Sequence, residues 1–248
     1  MARLDLPILS TSDETINQAF RIALGDIVTN ITPRSGGLLK DPAPVLDAGL
    51  DYPTPWIRDS AINIWNGASL LSPDTLRNNL MTLIDENHRV NPAGQFDQYW
   101  DIVIWTLGAW WHYLYTGDVE LLLLAHEVTR NTLAHYEATE FDADKHLFRG
   151  PAVYGDGIAA YPDTYLHVGS GILEWRDHNP DKLLDSGYGI PMFTLSTNCL
   201  YAEIYRIQGR IAAVLGKDDG QSQQKAAAMK AAINQHFWNP ETGTYRYI

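Results

Sequence analysis

The stretch FDQYWDIVIWTLGAWWHYLYTGD, residues 96–118, constrains the fold more than any other part of the chain. Its aromatic and aliphatic residues cover most of the surface of a helix predicted over 97–115, and such a helix is buried on nearly all sides. Gly117 ends this helix, and Asp118 is placed to cap the next one, predicted over 121–139. Because the link is so short, the two helices form an antiparallel hairpin, which other helices must surround.

Further helices follow from helical spacing and from capping residues such as Ser72, which precedes Pro73 at the first helical position. They are predicted over residues 13–31, 58–71, 73–87, 190–215 and 221–237. No segment shows strong strand alternation. The pattern therefore predicts an all-α fold of roughly seven helices, paired as hairpins, in a single domain over 1–248.

Residues 140–189 lack the helical period and are rich in Gly, Pro, Asp and Tyr. An irregular segment of this length inside a compact domain usually has a function, so we expect a long active-site loop region here. Tyr154 and Asp156 lie in its turn-rich part and are predicted to line a substrate site. Loop scaffolding and a calcium site are the alternatives for these two residues.

Charge and cysteine content exclude several classes of function. The chain has 18 basic and 30 acidic residues, a formal charge of −12, which disfavours nucleic acid as a partner. Its apolar runs are too short to span a membrane and its start lacks signal-peptide features, so we expect a cytoplasmic protein. The single cysteine, Cys199, expected to be buried, excludes a multi-cysteine metal site, and no histidine motif suits a metal. We predict no metal and no cofactor.

The segment Tyr52-Pro-Thr-Pro-Trp56-Ile-Arg58-Asp59 combines groups that suit a sugar ring. Trp56 offers a flat apolar face, Arg58 a rigid fork of hydrogen-bond donors, and Asp59 acceptors for a pair of hydroxyl groups. The alternative is that Trp56 belongs to the core and that Arg58 and Asp59 form a local ion pair.

Asp97 and Asp101 lie four residues apart on one face of the apolar helix. A carboxylate at the end of a buried helix is costly without a partner, so Asp101, beside Trp100, is a candidate sugar ligand. Asp97 fits the simpler role of a first-turn charge favoured by the helix dipole, which is also the alternative for Asp101.

Five short motifs occur in an informative order: Trp56-Ile-Arg58-Asp59, Trp100-Asp101, Tyr115-Thr-Gly117-Asp118, Glu174-Trp175-Arg176-Asp177 and Phe237-Trp238-Asn239-Pro240. With its helical hairpins, the chain resembles the six-hairpin (α/α)6 glycoside hydrolases over nearly its whole length. It looks closest to bacterial relatives of glycoside hydrolase family 63 and to the glycogen-debranching glucosidases.

The resemblance implies an (α/α)6 toroid that removes a terminal sugar, such as α-linked glucose or a related hexose, with inversion. Trp56, Arg58 and Asp59 are then expected to line the subsite of the terminal sugar. The general acid is expected in the long loop, as Glu174 or Asp177. Trp175 would raise the pKa of that acid by excluding water, and Arg176 would lower it. A structural ion pair with Arg176 is the alternative for this loop.

The chain is shorter than the family pattern requires. Twelve helices with their loops need roughly 300 residues or more, and the catalytic base of the family lies near the last helices. We therefore expect either the N-terminal part of a longer barrel or a homodimer that completes the ring. A glycan-binding or assembly half-barrel, or a glycoside phosphorylase, are the alternatives to a hydrolase. In each case the expected ligand is a carbohydrate.

Overall fold

The computed structural model describes residues 6–91, 99–151 and 179–248, and these residues are mostly helical. The α-helices are α1 Glu14–Thr29, α2 Ile57–Trp65, α3 Ala68–Leu71, α4 Pro73–Thr82, α5 Tyr99–Thr116, α6 Val119–Thr139, α7 Leu195–Leu215 and α8 Ser222–Phe237. The strands form antiparallel pairs: β1 Ile31–Gly36 with β2 Leu39–Leu46, β3 Phe141–Asp142 with β4 Leu147–Phe148, and β5 Trp238–Asn239 with β6 Thr244–Tyr245. The predicted all-α, toroid-like fold is confirmed.

Helices α2 and α5 run parallel, as three contacts along their length show. Arg58 and Asp101 meet near the two N-termini, and a Cβ on Gly108 would lie 3.1 Å from Cβ of Ala61. Farther along, the hydroxyl of Tyr115 donates to the carbonyl of Trp65 at 2.8 Å. Because Gly108 has no side chain, the two backbones approach closely at the middle contact.

Helix α7 has the same direction as α5. Tyr205 of α7 donates to Glu137 near the C-terminal end of α6, and Gln208, later in α7, donates to the carbonyl of His126 near the start of α6. Helix α7 is therefore antiparallel to α6, which is itself antiparallel to α5. The parallel helices α2, α5 and α7 form an inner layer, with α4 packed against α2 and α5, and α6 packed against α5 and α7.

The N-termini of the inner helices lie at one end of the molecule, which we call the loop end. The residues that the structure describes before these helices are 47–56 before α2, 83–91 before α5 and 179–194 before α7. The opposite end, which we call the turn end, carries the short connections 66–67, 117–118 and 216–221. The long segments of the chain therefore enter the inner helices at the loop end.

Several sequence predictions need correction. The helix predicted over 58–71 is divided, because Gly67 adopts a left-handed conformation with φ 97°. Helix α4 ends at Thr82 and not near 87, because the carboxylate of Asp85 accepts from the backbone of Arg89 and closes a turn. Cys199 is exposed.

The β1–β2 hairpin was missed because Pro33 and the glycines after it were interpreted as helix-stop signals only. Thr32 and Arg34 instead alternate along β1 and both bind Asp47 beyond β2. Gly37 makes the turn with φ 51°, where a Cβ would lie 2.5 Å from the carbonyl oxygen of Ile84. Only glycine fits this approach.

Candidate functional site

The centre of the candidate site is an ion pair between α2 and α5 at the loop end. Nε of Arg58 donates to Oδ1 of Asp101 at 2.8 Å, and the second guanidinium nitrogen donates to Oδ2 at 2.9 Å. The Asp101 side chain is 5% exposed and that of Arg58 19% exposed. Such a two-point contact fixes the plane of the guanidinium. Asp101 therefore orients Arg58.

Asp59 lies beside Arg58 in the first turn of α2 but remains exposed. Although the side chain reaches solvent, neighbouring groups partly desolvate its carboxyl, and this desolvation raises the pKa of Asp59. A backbone hydrogen bond and the Arg58 charge lower the pKa by smaller amounts. The guanidinium is held by Asp101, so the local Arg58–Asp59 ion pair does not dominate. Asp59 thus presents a carboxyl at the loop end whose ionised form is incompletely solvated, a feature common at functional sites.

The two tryptophans have different surroundings. Trp56 is half-buried at the N-cap of α2, where its carbonyl accepts from the Ser60 amide at 2.9 Å. Trp100 is half-buried and packs against the main hydrophobic cluster. The structure therefore brings Trp56, Arg58, Asp59, Trp100 and Asp101 together at the starts of α2 and α5, and their sugar-binding role remains a prediction.

The buried side-chain amide of Asn79 helps to hold this arrangement in place. Asn79 of α4 accepts from the Leu46 amide at 2.7 Å, and its Nδ2 donates to the Leu46 carbonyl at 2.7 Å and to Ser60 Oγ at 3.0 Å. Ser60 follows Asp59 in α2. Asn79 therefore connects the end of β2 with the first turn of α2, so the backbone that carries Asp59 is held at a defined position.

Sequence reasoning missed a second acidic group at the same end. Glu140 follows α6, is fully buried, and its Oε1 accepts from the backbone amide of Tyr188 at 2.8 Å. Burial is also the main cause that raises the pKa of Tyr136, followed by its interaction with Tyr188. These contacts tie the described end of the 140–189 loop to α6. In the sequence, Glu140 marked only the start of the irregular segment 140–189.

The remaining predicted site residues lie outside the described part of the chain. They are Tyr154, Asp156, Glu174, Trp175, Arg176 and Asp177, together with Asp97. Their roles remain predictions.

Two searches of the described residues bear on other classes of function. No group of three or more His, Cys, Asp or Glu side chains within 6–91, 99–151 and 179–248 could hold a metal ion. None of the helices in those ranges combines the length and apolarity needed to cross a membrane.

The chain is similar in structure to a rhamnosidase from Klebsiella oxytoca, solved with rhamnose bound. The TM-score is 0.55 at 14% sequence identity, and the alignment covers 98% of this chain and 42% of the rhamnosidase chain. This chain therefore spans less than half the length of that protein. Identity this low shows the fold alone. No family model and no curated protein matches the sequence.

Proposed function

We propose that this chain is part of a glycoside hydrolase and holds the terminal sugar at the loop end of its helices. The observation that carries the proposal is the oriented Arg58–Asp101 pair beside the exposed Asp59, at the N-termini of α2 and α5. The toroid-like fold and the rhamnosidase neighbour support the hydrolase class.

Each residue has a chemical task in this proposal. Asp59 accepts hydrogen bonds from adjacent hydroxyl groups of the terminal ring, and the guanidinium of Arg58, oriented by Asp101, places a positive charge beside the ring. Trp56 covers the C–H face of the ring. Asp101 is a positioning residue that fixes the guanidinium. The expected substrate is an α-linked hexose or deoxyhexose at the end of an oligosaccharide or glycoside.

The bond-breaking step belongs to the long loop in this proposal. Either Glu174 or Asp177 donates a proton to the leaving oxygen, and a second carboxylate activates water on the opposite face of the sugar. That second group, the base, is expected beyond the helices of this chain. Inverting hydrolysis is therefore proposed for the completed ring.

The first experiment measures sugar binding by isothermal titration calorimetry, with L-rhamnose and D-glucose as ligands. We expect Asp59→Ala to weaken binding of the preferred sugar about tenfold or more, the loss typical of a charge-assisted hydrogen bond. The matched control is Asp74→Ala, which removes an exposed first-turn acid at the turn end and leaves binding unchanged. Equal binding by Asp59→Ala and the parent would show that the subsite is wrongly assigned.

Turnover is tested separately, with aryl α-L-rhamnoside and aryl α-D-glucoside and with light scattering to determine the solution mass. Release of the aryl group by a dimer would mean that two chains build one working barrel. In an active assembly, Glu174→Gln and Asp177→Asn identify the acid on an unactivated alkyl α-glycoside, because its leaving oxygen must be protonated and only the variant that lacks the proton donor loses turnover. Binding without turnover would favour a glycan-binding half-barrel.

A further inference from the structure

Helix α1 is poorly packed against the rest of the chain. Asn17 and Leu24 are the only buried members of its 16 residues. One side of the helix is exposed, including two large apolar side chains at 50% and 55%, and it consists of Ile16, Ala19, Ile22, Ala23 and Asp26. Because successive residues are rotated by about 100°, these five share roughly a third of the helix surface. Helix α1 therefore has an exposed apolar face that carries one carboxylate.

A groove of about 710 Å³ lies between α7 and α8. Small and apolar side chains of both helices contribute to its lining, namely Leu195, Cys199, Ala202, Ala226, Ala227 and Ile233. Small side chains let a third helix approach both backbones, at the axis separation of about 8–10 Å that is usual for packed helices. The shape and lining of the groove therefore suit a helix with an apolar face.

The same surface has an excess of positive charge. Glu203 is the only acidic residue of α7 and α8, and it is shared by Arg206 at 2.6 Å and Arg210 at 3.8 Å. Lys230 lines the α8 side of the groove and is exposed. The surface thus has three cations for one carboxylate, in a chain whose net charge is −12. An additional carboxylate on a docked partner would be attracted here.

The apolar face of α1 and the groove lie at opposite edges of the helical layers. Helix α1 lies beside α2 and α3, since Phe20 and Ile27 line a cleft together with Asn63 and Leu70. Helix α8 packs against α7, and α5 lies between α2 and α7. The face of α1 therefore does not reach the groove of its own chain. It can reach the groove of a second copy, in a head-to-tail contact.

We propose that α1 of one copy of this chain docks in the α7–α8 groove of a second copy. Ile16 and Ile22 enter the apolar part of the groove, and Asp26 meets the cationic side that includes Arg206 and Lys230. Burial of the apolar side chains drives the association, and the opposite charges orient it. Because the contact joins two different surfaces, it produces a closed ring or a longer chain of copies. The contact does not depend on the proposed sugar site.

Sedimentation equilibrium of the whole chain between about 1 and 500 μM tests the proposal. We expect the average mass to rise with concentration. Lys230→Glu and Asp26→Lys should each weaken the association at least tenfold, because each places like charges at the contact. The double variant Lys230→Glu/Asp26→Lys should recover to within about threefold of the parent, since the two charges are exchanged. The matched control is Lys217→Glu at the turn end, outside the groove, which should change the association less than about twofold.

Cys199 provides an independent measurement, because it is the single cysteine of the chain, is exposed and lines the groove. We expect its labelling by a maleimide to slow at the concentrations at which the mass rises, and to stay fast in Lys230→Glu at those concentrations. Unchanged labelling during association would overturn the proposal, because the groove would then be uncovered.

Three sedimentation results would also overturn it. They are a monomer at every concentration up to about 500 μM, an equal loss in the Lys217→Glu control, and a double variant that does not recover. The first would mean that the two surfaces do not bind each other, the second that only total charge matters, and the third that Asp26 and Lys230 do not face each other. None of these measurements uses a sugar, so their failure is separate from a failure of the proposed function.

Discussion

At the scale of single residues, the candidate site depends on a carboxylate that is almost completely removed from water. Asp101 is stabilised there by two bonds from Arg58. A buried ion pair of this kind contributes hardly more to the free energy of unfolding than an apolar pair of the same volume. Removal of one partner alone, however, destabilises the protein strongly. The pair is therefore better explained by the orientation it imposes on Arg58 than by a contribution to stability.

This argument predicts the outcome of a double-mutant cycle. Arg58→Met should lower the free energy of unfolding by about 3 kcal/mol, because the Asp101 carboxylate loses its guanidinium partner while buried. Arg58→Met/Asp101→Leu should cost clearly less than Arg58→Met alone, since the charge is removed with its partner. Urea denaturation of these two variants and of the single variant Asp101→Leu gives the three values of the cycle. Additive costs would mean that the two side chains act independently.

Asp59 should reduce stability at neutral pH, as residues kept for function often do. Its pKa in the folded protein is raised above 3.8, so the ionised form is disfavoured in the folded state relative to the unfolded one. We expect Asp59→Asn to have a higher Tm than the parent at pH 7. The difference should shrink as the pH falls through the raised folded-state pKa and disappear only below 3.8, where the parent carboxyl is protonated in both states. Thermal unfolding across this range measures it, and a lower Tm for the variant at pH 7 would contradict the desolvation argument.

At the scale of elements, buried asparagines join strands to helices in two equivalent places. Asn79 bonds both backbone groups of Leu46 at the end of β2. Asn198 of α7 accepts from the Phe148 amide at 2.7 Å and donates to its carbonyl at 3.0 Å, at the end of β4. Each amide takes the place of a neighbouring strand, so an edge of a small hairpin is satisfied by one side chain.

Both asparagines should therefore be important for stability. Asn79→Ala and Asn198→Ala should each cost about 2–4 kcal/mol, because buried backbone groups lose their partners. The neighbouring Asn78 is the control: it makes a single bond from Nδ2 to the Pro44 carbonyl at 2.9 Å. Asn78→Ala should cost less than about 1 kcal/mol. Equal losses for all three variants in urea denaturation would contradict the proposed role of the two buried amides.

The contact between α2 and α5 gives an element-scale test of packing. A Cβ on Gly108 would lie 2.9 Å from Cα of Ala61, whereas a Cβ on Gly25 of α1 would meet nothing within 4 Å. Gly108→Ala should therefore destabilise the protein by about 2 kcal/mol through forced separation of the helices. Gly25→Ala should stabilise it by up to about 1 kcal/mol through helix propensity. Thermal unfolding shows whether each substitution raises or lowers Tm. A higher Tm for both variants would mean that the two helices are not in close contact.

At the scale of the whole molecule, the sequence predicted the positions of the helices far better than the contacts between them. Apolar period and caps located α1, α5, α6 and α8 closely, and they located the end of α7 but not its start, which is at Leu195 instead of 190. The pairing of Arg58 with Asp101, 43 residues away, depends on the parallel packing of α2 and α5, which neither helix encodes alone. Asp59 next to Arg58 was the nearer candidate by sequence. The small hairpin β1–β2 was missed because its stability comes from Asp47 and Asn79, which lie outside the strands.

Three histidines of α5 and α6 are expected to make the protein sensitive to acid. Burial is the first cause that lowers the pKa of His112, His126 and His135. A lowered pKa in the folded state means that neutral imidazole is favoured there. Its contribution to stability is therefore complete above 6.5 and is lost as the pH falls through the folded-state values. We expect Tm to change little between pH 7.5 and pH 6.5 and to decrease steadily from there to pH 5.

His112→Gln isolates one of these contributions. The variant should be less stable than the parent at pH 7.5 but should lose less Tm on acidification, because one titrating group is gone. Ser69→Ala is the control: Ser69 Oγ lies 2.9 Å from Nδ1 of His112, so this substitution removes a bond but keeps the imidazole. Its pH dependence should stay at least as steep as that of the parent. If the Tm of His112→Gln falls with pH as steeply as that of the parent, the acid sensitivity does not come from His112. It must then come from the carboxylates of this strongly acidic chain.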